Sequence, residues 1–257
     1  KAEAKARLAR LEAALEGWDI AEAKRELAAL EELVPDSVEP LKYFHGRIAF
    51  EEGRYAEAQE LLREAGIEDK PSSYLRLAKD SLAITKNHLR AESEHFIFYH
   101  PKGKEEILVP YALEALESIH QAMAEDLGWR PQEKIRVEVV HNARELSRVS
   151  TLTYDQIQTT GTIAICKFNK LMVTSPKAVA RGYDWLDTLA HEYIHLVVSR
   201  SSLNKVPIWL HEGLAKWLES RWRGRGGLGL NPSAQALLGR RLKEDTLVPF
   251  EKMHPSI

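Results

Sequence analysis

Two stretches of the chain, EGWDIAEAKREL from Glu16 and EGRYAEAQELL from Glu52, repeat one pattern 36 residues apart, with one extra residue in the first. A period of this size is that of a helix–turn–helix unit, which cannot bury its apolar face alone and must stack on neighbours. Gly17 and Gly53 break one helix, and the small Ala23 and Ala58 let the next pack closely against it. The surrounding residues agree. Ala, Leu, Glu, Lys and Arg, all strong helix formers, dominate the first ninety positions. PSSYLRLAKDSLAITKNHL, from Pro71, predicts a further helix capping the stack.

The second copy, with Gly46 and Ala49 followed by Tyr55, Ala58, Leu62 and Ala65, resembles a tetratricopeptide repeat more closely than the first does. That resemblance implies a helical partner-binding or packing module over residues 1–90; a generic helical bundle is the competing reading. Two repeats are few for a solenoid, so the array is either cut short or leans on the next domain of the chain.

Composition shifts near Ala91. HFIFYH from His95 alternates and is aromatic, a strand pattern. A long amphipathic helix comes next, with Leu113, Leu116, Ile119, Met123 and Leu127 on its apolar stripe, ended by Gly128 and Pro131. KIRVEVVHN is a second strand with Ile135, Val137 and Val139 on one face. NARELSRVS is a short helix. TGTIAIC and KLMVTS are two more strands with a turn around Asn169. Two helices come last, from Tyr183 to about Ser199 and from Ile208 to about Arg221. This order predicts an α+β domain over residues 91–257.

The formal net charge of -2 gives no electrostatic case for nucleic acid. No apolar run reaches the roughly 20 residues of a membrane span. With Cys166 as the one cysteine, neither an intrachain disulfide nor a cysteine zinc cage is possible, and Cys166 reads as a buried small hydrophobe. The start at Lys1 and the end at HPSI read as trimmed ends.

DTLAHEYIHLVV, Asp187 to Val198, sets two histidines and a glutamate into an otherwise apolar helix. His191 and His195, four residues apart, share one helix face, so both imidazoles can reach one zinc ion. Glu192 lies about 100° around the helix, placed to flank such an ion and take a proton from water. A partly buried helix with a polar edge is the competing reading. A third ligand is at hand in PIWLHEGLAKWLES: Glu212 follows His195 by 17 residues, enough for a loop and a returning helix. Pro207 suits that helix's first turn. Gly213 would permit close approach to the metal helix or a substrate. Trp209, Leu210, Leu214 and Leu218 form a packed face. Glu219, two turns past Glu212, is placed to accept a hydrogen bond from a zinc histidine and fix its tautomer.

HEYIH followed by WLHEGLAKWLE resembles the gluzincin zinc metallopeptidases, most closely the bacterial peptidase-MA-like family. The shared pattern runs through Thr188, His191, Glu192, His195, Trp209, Glu212, Gly213, Ala215 and Glu219. The resemblance implies one zinc per chain on His191, His195 and Glu212, with Glu192 as general base and Glu219 supporting a histidine. It also implies a thermolysin-like zincin fold, a peptide or protein substrate, and a bacterial, exported protein. By the same analogy TGTIAIC binds the substrate backbone as an edge strand; a plain core strand is the equal alternative. The aminopeptidases' glycine–any–methionine–glutamate–asparagine strand is absent. For an oxyanion-stabilising group, Tyr183, Tyr193, His211 and His254 stand as candidates, with His211 read as surface or as support for the ligands. RWRGRGG, from Arg221, reads as a solvated basic loop, and His88, His95, His100, His120 and His141 as ordinary histidines. The expected activity is zinc-dependent peptide hydrolysis. A helical-repeat scaffold with an idle or regulatory metal site is the alternative.

Overall fold

The computed structural model describes residues 2–34, 38–224, 230 and 232–253. Five helices come first: α1 (Ala2–Glu16), α2 (Ile20–Leu33), α3 (Val38–Glu51), α4 (Tyr55–Glu64) and α5 (Tyr74–Thr85), each packed on the next. The two repeats fall on the α1–α2 and α3–α4 turns. Ala23 and Ala58 are fully buried there. A β-carbon on Gly46 would come 2.6 Å from Leu62 Cγ, so the close crossing of α3 and α4 depends on that glycine. Gly53 turns the chain with a φ of +75°, a conformation a side chain disfavours. Asp19 and Ser73 cap α2 and α5 by accepting hydrogen bonds from the Glu22 and Arg76 amides.

The helix expected to run on from Pro71 through Leu89 stops at Thr85. Strand β1 (Leu89–Glu92) comes after it, because pairing with β2 (Phe96–His100) outweighs the strong helical preference of LRAE. Then come α6 (Val109–Leu127), β3 (Ile135–Val140), α7 (Ala143–Val149), α8 (Tyr154–Thr160), β4 (Ala164–Lys167) and β5 (Lys170–Thr174). The TGTIAIC stretch is thus strand only from Ala164. Thr160 ends α8, a helix with a Thr153–Gln156 capping box, and Gly161 closes it. The chain ends with α9 (Trp185–Ser202), α10 (Ile208–Leu218) and α11 (Pro232–Lys243), the last of these unforeseen in sequence. The architecture is α+β, with one five-stranded mixed sheet in the order β1-β2-β3-β5-β4. Among the described residues no helix is long and apolar enough to cross a membrane.

Both faces of the sheet are covered. Phe96, Phe98, Ile135, Val137, Val139, Leu171 and Val173 point to one side, under α6 and α9. Val140 and Met172 point to the other, where they meet α7, α8 and the helices α3 to α5 through Phe50, Tyr55 and Leu77. Each such side chain contributes roughly 1.5–3 kcal/mol when fully buried. The second side also buries charge. Lys170 and Glu138, both wholly inaccessible, pair at 3.0 Å. Tyr55 from α4 donates to Glu138, Lys170 Nζ lies 2.5 Å from the Tyr55 hydroxyl, and Arg136 adds a further ion pair to Glu138. Burial alone would raise the Glu138 pKa, but Lys170 and Arg136 hold it at about 2.

β4 is an edge strand. Its hairpin to β5 turns at Phe168 and Asn169, both with φ of 55°, the signature of a type I′ turn. The Ile163 carbonyl pairs with the Thr174 amide at 2.8 Å, so by antiparallel alternation the backbone groups of Ala164 and Cys166 face the open edge.

Candidate metal centre

Helix α9 buries Leu189, Ala190, Tyr193, Ile194, Leu196 and Val197, which fixes its rotation. His191 and His195 then share the one partly open face. The chain reverses through Leu203 and Asn204, both in the left-handed region, and α10 packs back against α9. This brings Glu212 over the two histidines. His191 Nε2 and His195 Nε2 are 3.1 Å apart, and each lies 3.6 Å from a Glu212 carboxylate oxygen. An ion bound tetrahedrally at zinc distances needs ligand atoms about 3.4 Å apart. The three groups therefore fit one metal ion.

Each histidine is oriented from behind. His191 Nδ1 lies 3.0 Å from Glu219 Oε2, which directs its proton to the carboxylate and leaves the Nε2 lone pair facing the cluster. His195 Nδ1 lies 3.1 Å from His211 Nδ1. For His195 to present a lone pair on Nε2, Nδ1 carries the proton and donates it to His211. Burial opposes charge on His191, but hydrogen bonds to Glu212 and Glu219, with Glu192 nearby, carry its pKa up to about 9. Hydrogen bonds to His191 and His195 hold Glu212 well below the usual carboxylate range. A metal and a proton thus compete for the same nitrogen.

Glu192 is only 8% exposed. Burial raises its pKa, and His195, His191 and a hydrogen bond from the Cys166 backbone amide counter that. That amide belongs to the open edge of β4. A cleft of about 300 Å³ lies here, lined by Glu192, His191, Thr188, Lys216 and Glu219 from the helices, by Gly161, Thr162 and Ile163 leading into the edge strand, and by Ala164 at its start.

A comparison of the chain with known protein families, curated proteins and solved structures finds no match.

The residues singled out in sequence thus divide. His191, Glu192, His195, Glu212 and Glu219 come together, and His211 joins them behind His195. Tyr183 donates to the Thr174 carbonyl, and Tyr193, fully buried, lies 2.7 Å from His120 Nδ1; neither hydroxyl is free to serve this cleft. His254 lies outside the described residues. Gly213 is not needed for close approach to α9, since an added β-carbon would meet nothing within 4 Å. Cys166 is half-buried rather than buried, and its backbone matters more than its thiol. The supposed basic loop is anchored where it is described: Arg221 pairs with Asp126 at 3.0 Å, and Arg223 pairs with Asp187. Sequence reasoning misses the Cys166 amide as a partner of Glu192. Its only signal there is the strand pattern of AIC ahead of the metal helix.

Proposed function

We propose that the chain is a zinc-dependent peptidase of gluzincin type, with tetratricopeptide-like helices over residues 1–90 and the catalytic part over residues 91–257. One observation carries this reading. Three ligand atoms converge at metal-binding spacing while a buried glutamate that is not among them stands next to them, against an open strand edge. A purely structural metal site has no use for such a glutamate. When bound, zinc supplies Lewis-acid polarisation and makes water more acidic. Within the chain, Glu192 accepts a proton from water and returns it to the departing amine. Burial sharpens it for that work by raising its affinity for the proton. Glu219 and His211 keep the two imidazoles aimed. The outward backbone groups of Ala164 and the Cys166 carbonyl offer an extended peptide a strand to pair with, while the Cys166 amide serves Glu192. The substrate is accordingly a peptide or an unfolded protein segment.

Elemental analysis of protein purified without chelator is the test. The expected result is about one zinc per chain, lost in Glu212→Ala. Protein that takes up no metal when zinc is supplied would remove the reading altogether.

A further inference from the structure

On the far side of α9 from the metal centre lies a larger cavity, about 980 Å³, between α6, the start of β2 and the end of α9. Two of its lining residues, one buried and one largely so, are incompletely partnered. His120 is 2% exposed, and its Nε2 has no hydrogen-bond partner. The Arg200 side chain is 9% exposed; Nη2 pairs with Glu133 at 2.7 Å, while Nη1 has no partner. The tautomer of His120 follows from its neighbour. Tyr193 is fully buried and meets His120 Nδ1. Were the hydroxyl to accept there, its own proton would be buried unmet, so it donates, and the His120 proton sits on Nε2. Both unmet groups are therefore donors, and they call for an acceptor with oxygen lone pairs.

The wall is mostly of the opposite character. Glu94, Glu117 and Glu125 line it, with Arg130 as the one further cation in the lining. Glu117 is fixed by Ser93 and by the His95 amide and ring, at 2.5, 2.8 and 2.7 Å. His95 stacks on His120 with ring centroids 3.9 Å apart, and Arg200 sits over Trp129. A simple anion would meet three carboxylates here; a cation would meet the donors. A molecule carrying both charges satisfies each.

From this juxtaposition we infer a second binding site, for a small zwitterion of the amino-acid class, with its carboxylate on Arg200 and His120 and its ammonium towards the glutamates. The inference stands on this cavity alone, whatever the metal centre does. Titration calorimetry of the full chain with L-alanine, acetate, methylammonium and inorganic phosphate tests it. L-alanine should bind at least tenfold more tightly than acetate or methylammonium. Arg200→Gln should weaken L-alanine at least about tenfold, the loss expected for a charge-assisted hydrogen bond. Ser118→Phe, which fills the cavity from its lining without touching a buried charge, should do the same, so a folding defect in the arginine variant would not hide the answer. L-alanine binding no better than acetate, phosphate binding alone, or binding unchanged in Ser118→Phe would each overturn the assignment.

Discussion

Glu138 and Glu192 are both more than nine-tenths buried, on opposite sides of one sheet, and their surroundings push them in opposite directions. Glu138 sits under the N-terminal helices with Lys170, Arg136 and Tyr55 around it, and its pKa is held at about 2. Glu192 is beside the candidate metal ligands with a single backbone amide for a fixed donor, and burial raises its pKa. Burial alone therefore does not distinguish a carboxylate that holds the fold from one placed to move protons. The number of fixed cations aimed at it does. Glu51 adds a third case: near the Glu138 network, 3% exposed, with both carboxylate oxygens lacking partners. Burial lifts it to about 7 against the pull of Arg47 and Lys170.

The contrast breaks most sharply at Glu192. Glu192→Gln keeps the shape and removes the base, so peptide hydrolysis should fall by about 10²–10⁴, with metal content unchanged. Hydrolysis that survives with the metal in place would take Glu192 out of the proton transfer. At Glu138 the same logic predicts a folding effect. Lys170→Met leaves buried Glu138 with Arg136 as its one remaining cation and should destabilise the chain by about 3–5 kcal/mol in chemical denaturation. A cost under about 1 kcal/mol would mean that the network contributes little.

Glu51 sharpens the comparison through pH. Its folded pKa is about 7 against an ordinary 4.5, so between those values the folded state holds the proton that the unfolded state has lost. Stability then falls as pH rises through that window, by about 3 kcal/mol from this group, and stays low above it. Glu51→Gln should flatten that slope and gain stability at pH 8. Parallel slopes in the two proteins would show that Glu51 is not the group responsible.

The candidate metal centre is legible in the sequence because its chemistry is written locally. His191, Glu192 and His195 are fixed relative to one another by helix geometry, and Glu212 and Glu219 by the second helix and a short turn. The repeat turns are legible for the same reason. The features that escape depend on distant pairing. Tyr55 reaches Glu138 across 83 residues and Lys170 across 115, and nothing local in either segment marks the partner. LRAE is built of helix formers and is mostly exposed, so β1 is visible only beside β2. YDQIQTT buries only Ile157, too little for a periodic signal, and α8 goes unseen with it. His120 passes for an ordinary helix residue because its importance lies in an unmet donor, a property of three-dimensional surroundings.

The covering of the sheet on both faces has a practical consequence. Without residues 1–90 that second face of the sheet would keep α7 and α8 but lose Phe50, Tyr55 and Leu77, and the Lys170–Glu138 pair would lose the Tyr55 hydroxyl. The apolar surface so exposed invites aggregation. The helices at the front therefore cannot be traded as a cassette. A replacement for them would have to supply its own partners for Phe168, Met172 and the Lys170–Glu138 pair.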